Sequence, residues 1–555
     1  MTILINMECT IKKTMQDAAY AAQEKGLLSF DVMPDFVLEK PREKSHGDYA
    51  VNLAMLLAKP AKKNPRDIAA LLVQHVVLSG SYIKHLEVAG PGFINMTLDP
   101  AWKEQVIPEI LREQQAYGHS NIGQGKKVQV EFVSANPTGI PHMGNARGAA
   151  LGDTIATLLK ATGYEVEREY YVNDAGNQIE RFAESLEARY RQALGEDVAF
   201  PEDGYHGEDI LDTVLRLVKE KGSELLALSQ DERRDKLVAY ALEDKLSVIR
   251  QELERFGVVY DNWFYESSLY ASGDVDKAIA RLRERGYIYE ADGATWLAAS
   301  KFGEEKDEVM IRQNGTPTYF AADIAYHLNK YERGFTTLIN VWGADHHGHV
   351  GRMKQAMGAL GQDPESLEVV LMQLVRLFSG GEMMRMSKRT GKYISLGELM
   401  EEVGVDAARY FFVMRSADSH LDFDLDLAKS ENNDNPVFYV QYAHARIASI
   451  LRQKPGVDVS KADVSLLTHP AESDLIEKLA AFPSLVAAAA ELREPHRLCN
   501  YAHDLASLFH SFYGQCRVLN TEENVMLSRL ALLRATQITL ANVLSMIGVH
   551  APETM

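Results

Sequence analysis

The run VQVEFV (128–133) ends in a short loop, a helical pattern ARGAALGDTIATLLKATG follows and stops at Gly163, and EVEREYYV (165–172) comes next. Strand, helix, strand at this spacing is a βαβ unit, and a βαβ unit implies a parallel sheet. No other feature of the sequence restricts the fold as strongly. Sheet-like segments return at TTLINVWG (336–343) and LEVVLMQLV (367–375), so the unit belongs to a larger α/β core. Before it, residues 1 to about 120 read as a small α+β unit. Helical spacing in CTIKKTMQDAAYAAQEKG, VNLAMLLAK and DIAALLVQHVV precedes a β-like piece at 82–98. A charged helical stretch, about 177–256, interrupts the core, and from about 433 onward nearly every segment has helical spacing. At 555 residues the chain exceeds one ordinary core, which agrees with several units. The expected fold class is multidomain α/β. It has a Rossmann-like parallel-sheet core (121–375), a small N-terminal α+β domain (1–120), a loop and stem segment (376–432) and an all-helical C-terminal domain (433–555).

The loop after VQVEFV, SANPTGIPHMGN, raises a chemical question. A strand that ends in a glycine-bearing loop and opens a helix presents free N–H groups and a positive helix end, both suited to phosphate. Gly144 lets an anion approach closely. His142 and Asn145, three apart, could both donate to one phosphate chain. A tight turn with a satisfied histidine explains the same residues equally well. A second stretch, SGGEMMRMSKRTGKYISL (379–396), carries Arg385, Lys388, Arg389 and Lys392 between glycines, as either a solvated basic loop or a cationic loop that closes on phosphates. A third, VWGADHHGHVGRMK (341–354), leaves an apolar strand with Gly343, Asp345 and His349 in the pattern G-x-D-x-x-x-H, where an acidic residue can hold a ribose hydroxyl. Three histidines in four positions there also suit a metal.

Charge and cysteine content narrow the class. A net charge of −19 argues against a nonspecific nucleic-acid coat but leaves room for a local basic groove. Cys9, Cys499 and Cys516 show no C-x-x-C spacing, so neither a disulfide framework nor a structural zinc is expected, and a reducing cytoplasm fits. No apolar run is long enough to span a bilayer, and no signal peptide is read.

P-H-M-G-N, G-A-D-H-H-G-H and R-M-S-K-R, in that order on a βαβ core, resemble the three signature segments of the class I aminoacyl-tRNA synthetases. EFVSANPTGIPHMGNARGAALGD, YFAADIAYHLNKYERGFTTLINVWGADHHGHVGRMK, MSKRTGKYISL, HGDYAVNLAM and IGVHAPETM resemble the bacterial arginyl-tRNA synthetases, and the likeness covers nearly the whole chain. That spacing also accounts for the histidines without a metal. The resemblance implies ATP, with Mg2+, as co-substrate, an arginyl-adenylate intermediate, and L-arginine and tRNA(Arg) as partners. It implies a motif spanning Ala135 to Asn145, with His142 and Asn145 on the phosphates and Lys388 on the developing pyrophosphate charge. Gly144, Gly343, Asp345, His349, Met386 and Ser387 are expected around ATP. Glu131, Ser134, Asn136, Tyr319 and Asp323 are expected around arginine, with Glu131 and Asp323 accepting from the guanidinium, Asn136 and Ser134 near the α-amino end and Tyr319 against the guanidinium. The N-terminal unit is expected on the tRNA elbow and the helical domain on the anticodon, in a monomer. Two departures stand out. Asn145 replaces the usual histidine and cannot carry charge, and Arg385 replaces the usual first lysine. A catalytically impaired tRNA-binding paralogue is the alternative. The helical domain is expected to be needed for tRNA but not for the catalytic fold.

Overall fold

The computed structural model describes residues 3–41, 43–137, 139–303, 305–384 and 394–555. Its centre is a five-stranded sheet of β1 (Lys127–Glu131), β2 (Glu165–Val172), β3 (Asn262–Tyr265), β4 (Thr337–Gly343) and β5 (Leu367–Met372). The strands lie in the order β5-β4-β1-β2-β3, and every neighbouring pair is parallel. The order turns back between β1 and β4. In an open α/β sheet the crevice at such a reversal, beyond the carboxyl ends of the strands, is where ligands bind. The opening loop leaves β1 there, and the G-x-D-x-x-x-H segment leaves β4 beside it.

The motif helix Met143–Ala161 crosses back from β1 to β2, and nearly every residue of it is buried. It packs so closely on the sheet that a Cβ on Gly152 would lie 2.1 Å from Cγ of Phe132. The charged stretch forms the helices Asn177–Ala193, Glu208–Lys221 and Gln230–Arg255, closed on a core of their own around Phe182, Leu186, Tyr190, Val214 and Leu237.

The N-terminal unit sets Ile3–Glu24, Leu53–Ala61 and Pro65–His75 against an antiparallel sheet that contains the hairpin Ile83–Ala89/Phe93–Leu98. The helical domain consists of Pro436–Arg452, Pro470–Ala480, Phe482–Glu491, His496–Gln515 and Glu523–Met546. From Leu530 onward most residues of its last helix are buried. Among the described residues no helix is long and apolar enough to cross a membrane.

Three details differ from the sequence reading. The run 367–375 is two strands. β5 stops at Met372, and Val375–Ser379 joins a second small sheet with Glu382–Met384 and Leu421–Asp424. β3 and an antiparallel sheet of Ile288–Ala291, Ala294–Leu297 and Glu308–Ile311 were not anticipated. The helical domain is also no appendage, since one continuous apolar core runs through the N-terminal unit, the central sheet and the bundle.

Candidate active site

Immediately after β1 the backbone takes an unusual path. Val133 (φ 69°) and Ser134 (φ 40°) both adopt the left-handed region, which is costly for a β-branched residue and marks strain held in place by its surroundings. The path turns the Ser134 hydroxyl back onto the sheet. It donates to Glu131 Oε1 (2.9 Å) and accepts from the N–H of Tyr171 on β2 (3.1 Å). Asn136 lies exposed beyond it, its Oδ1 3.4 Å from Nδ2 of Asn173.

The motif helix begins on His142, whose Nδ1 accepts from the N–H of Gly144 (3.1 Å), while Oδ1 of Asn145 accepts from the N–H of His142 (3.1 Å). Since Nδ1 accepts, the neutral ring carries its hydrogen on Nε2, a donor. A Cβ on Gly144 would come within 3.0 Å of the His142 ring, so glycine is what lets the ring sit there. Asparagine at 145 thus caps the helix, and its amide N–H groups are what it has for a ligand.

The basic loop is anchored to this turn. Before the loop, the hairpin Val375–Ser379/Glu382–Met384 turns at Gly380–Gly381, both with positive φ. Lys388, Met386 and Ser387 lie outside the described residues. Where the chain is described again, Ile394 O accepts from Met143 N–H (3.2 Å) and Leu396 N–H donates to Pro141 O (2.9 Å). The far end of the basic segment is therefore bonded directly to both sides of His142.

At the carboxyl ends of β1, β2 and β3 lies a cluster of acidic residues, Glu131, Glu266 and Asp323, around Tyr171. Asp323 sits in helix Tyr319–Glu332, which is capped by Thr318. Asp323 is past the first turn, so the helix dipole does not explain it. Its Oδ2 pairs with Nε2 of His349 (3.0 Å), joining the residue expected at arginine to one expected at ATP. Tyr319, 48% exposed, starts the same helix and lies against Gly176, where a Cβ would be 3.2 Å from its hydroxyl.

Glu266, just after β3, is only 2% exposed and forms no ion pair among the described residues. It is hydrogen-bonded to Tyr171, and its Oε1 accepts from Tyr270 (3.3 Å). Burial pushes its carboxyl up to about 7, with the neighbouring charges of Asp323 and Asp174 adding to the rise. Glu131 is differently placed. Its Oε2 accepts from the fully buried Lys330 (2.6 Å), which also donates to Asn340 (3.2 Å), so this carboxylate is already neutralised. Asn340 in turn bonds His327 (2.7 Å), whose ring is pushed down to about 3 by burial and by Lys330, and whose Nδ1 bonds the carbonyl of Asp323 (2.8 Å). One hydrogen-bonded chain thus runs from Ser134 to Asp323.

On the other side of the crevice, Gly343 ends β4 and a Cβ there would meet Asp345 Oδ1 at 2.4 Å. Asp345 itself is 82% exposed at its side chain, in the turn Ala344–His346 that opens helix His347–Ala359. Among the described residues no group of three or more His, Cys, Asp or Glu is placed to hold a metal.

Sequence reasoning missed Glu266 and Lys330. Each is one charged residue in an unremarkable run, and only burial, which depends on four separated elements, distinguishes it.

Comparison with known proteins agrees with this layout. The family model of the class I (R) tRNA synthetase catalytic domain matches residues 106–413, that of the arginyl tRNA synthetase N terminal domain residues 7–98, and that of the DALR anticodon binding domain residues 440–555. The chain is 60% identical over 560 residues to an arginine–tRNA ligase of Moorella thermoacetica, covering 100% of both chains. It is 58% identical over 561 residues to one of Desulfitobacterium hafniense, again covering 100% of both. Among solved structures, an arginyl-tRNA synthetase of Thermus thermophilus superposes with a TM-score of 0.76 at 26% identity, covering 98% of this chain and 100% of that one.

Proposed function

The chain belongs to the arginyl-tRNA synthetase family of class I, and from that membership we propose how its residues carry out ATP-dependent attachment of L-arginine to tRNA(Arg). An oxygen of the arginine carboxylate attacks the α-phosphorus of ATP. The bond to the bridging oxygen of pyrophosphate breaks, leaving arginyl-adenylate. The 2′-hydroxyl of the terminal tRNA adenosine then attacks the acyl carbon, gives up its proton and expels AMP. Such chemistry rests mainly on positioning and on stabilising charge.

His142 Nε2–H, the amide of Asn145 and the first N–H groups of the motif helix hold the phosphates, with Gly144 giving room. Lys388 meets the charge that grows on pyrophosphate, delivered by a segment bonded to Pro141 and Met143. Met386 and Ser387 bind the ATP. Gly343, Asp345 and His349 frame the adenosine. Magnesium, arriving with the nucleotide, supplies further phosphate neutralisation. Asn145 keeps the helix cap intact, so its departure from histidine gives no support to an impaired paralogue.

Asp323 accepts from the guanidinium, with Tyr319 against its plane and Ser134 and Asn136 toward the α-amino end. Glu131, held by Lys330, acts by orienting Ser134, and Glu266 is the second carboxylate that faces the guanidinium. The observation that carries this reading is that Asp323 and Glu266, neither paired with a lysine or arginine among the described residues, lie near each other with Tyr171, Tyr270 and Tyr319 close by. A planar, permanently charged fork suits such a pair.

The helical domain reads the anticodon. Tyr439 and Tyr442 on Pro436–Arg452 face His503 and His510 on His496–Gln515, and Arg446 lies 4.6 Å from the ring centre of Tyr513 on that same helix. Aromatic planes with a cation suit unpaired bases in a chain of net negative charge. The N-terminal unit meets the tRNA elbow. We take the protein to act as a monomer in the cytoplasm.

The test is Asp323→Asn, which keeps the shape and removes the charge. Removing one charged acceptor from a bound guanidinium is worth roughly 2–5 kcal/mol, so the arginine KM in pyrophosphate exchange should rise at least about tenfold with the ATP KM nearly unchanged. An ordinary arginine KM in this variant would place the pocket elsewhere.

A further inference from the structure

A single guanidinium joins four parts of the molecule. Arg409, in helix Val405–Val413, is 0% exposed. Its Nη2 donates to Asp153 Oδ2 (2.6 Å), its Nη1 to the carbonyl of Phe256 (3.0 Å) and its Nε to the carbonyl of Ile547 (2.9 Å). Asp153 lies in the middle of the motif helix, and its other oxygen accepts from Arg168 of β2 (3.0 Å). Phe256 ends the last inserted helix. Ile547 opens a segment bonded to the helical domain. The N–H of His550 donates to Asp406 (3.1 Å), Gln441 donates to the His550 carbonyl (2.9 Å), and His444 Nδ1 bonds the Pro552 carbonyl (2.8 Å).

Apolar packing already joins these parts, since Ile155, Phe256, Phe412 and Ile547 all belong to the one continuous core. A cavity of about 1070 Å3 opens beside the contact, with Thr157, Arg168, Gly257, Asn542, Gly548 and His550 in its wall. The polar contacts therefore lie in the packed core beside this opening and add direction to the apolar contact. A buried charge with all of its acceptors in place is strongly directional, and loss of one acceptor is costly. Gly548 has a positive φ of 69°, and a Cβ there would fall 2.3 Å from Arg409 Nε and 2.4 Å from its Cζ. The segment approaches the guanidinium so closely that only glycine fits.

We propose that Arg409 is a positioning residue through which the segment 547–553 of the helical domain fixes the motif helix, and with it His142 and Asn145, in the pose that activation requires. The proposal rests on the function proposed above. Gly548→Ala is the variant that tests it, because it displaces Arg409 without touching any group that meets a substrate. Arginine-dependent ATP–pyrophosphate exchange is measured on the full chain with saturating tRNA, with rates expressed per titrated active site. Misplacement of reacting groups from a distance costs up to about a hundredfold, so kcat should fall by about tenfold to a hundredfold while both KM values and the tRNA Kd stay within about twofold. Asp153→Asn, which weakens the same contact from the other side, should give the same split. The double variant should be no worse than the poorer single one, because both disrupt the same Arg409 contact. If Gly548→Ala yields no folded protein, Asp153→Asn decides by the same criterion. An unchanged kcat, a loss confined to KM, or additive losses overturn the proposal. Absence of arginine-dependent exchange in the parent chain overturns the proposed function instead.

Discussion

Glu266 is where burial and recognition oppose each other. Water is excluded from its carboxyl and Asp323 lies near, so the proton is retained up to about pH 7. A guanidinium in the pocket favours the ionised form, and binding must then release a proton. Arginine affinity should therefore rise with pH through about 7 and level off above it. In the free protein the sign is opposite. The folded carboxyl holds its proton more tightly than the unfolded one, so its contribution to stability is present below an ordinary carboxyl pKa and is lost as pH climbs through about 7. Glu266→Gln should weaken arginine binding at about pH 8 by an order of magnitude and abolish the pH dependence between about pH 6 and 8, as read by calorimetry in buffers of different ionisation enthalpy. Citrulline, a neutral isostere, should lose less than arginine does. Equal losses for both, or a pH profile like the parent's, would show that Glu266 only supports the fold. His327 contributes nothing to such a profile, since burial holds its ring neutral down to about pH 3.

At the scale of elements, the motif helix depends on a missing side chain. Gly152→Ala drives a methyl into Phe132, the residue just after β1, and the helix must shift away from the sheet. Overpacking of this kind costs about 1–3 kcal/mol, read as a lower denaturation midpoint at unchanged slope. Because His142 and Asn145 ride on that helix, activation should fall as well, and a variant with parental midpoint and activity would show that the contact relaxes freely.

The same helix was the most legible element in the sequence, since an apolar strand, a glycine-bearing loop and a helical period follow one another without ambiguity. β3 was hidden because NWFY is four residues long and carries no alternation to count. The hairpin strands of 288–311 are just as short. Asp323 was found by resemblance. Its placement past the first turn needed the Thr318 cap, and the neutralisation of Glu131 needed Lys330, which is 199 residues away in the chain.

Taken whole, the molecule resists division. The helix Val106–Glu113 packs on the long helix Glu523–Met546, Asn542 donates to the carbonyls of Gln114 (2.9 Å) and Tyr117 (3.0 Å), and Tyr117 donates to Leu479 O (2.8 Å). A chain ending at residue 432 would expose these faces and leave Arg409 without the Ile547 carbonyl. The sequence had suggested that such a fragment keeps its catalytic fold. The continuous core predicts instead that it loses cooperative unfolding and becomes readily cleaved by protease, and a compact, ATP-binding fragment with a sharp melting transition would refute this. The Arg409 contact has a further consequence in time. Its carbonyl acceptor at Ile547 is synthesised 138 residues after Arg409 itself. At about 5–20 residues per second the guanidinium waits roughly 7–30 s for that partner. Until then the catalytic half of a nascent chain carries a charge it cannot yet bury, so the motif helix is locked only once translation has reached the bundle.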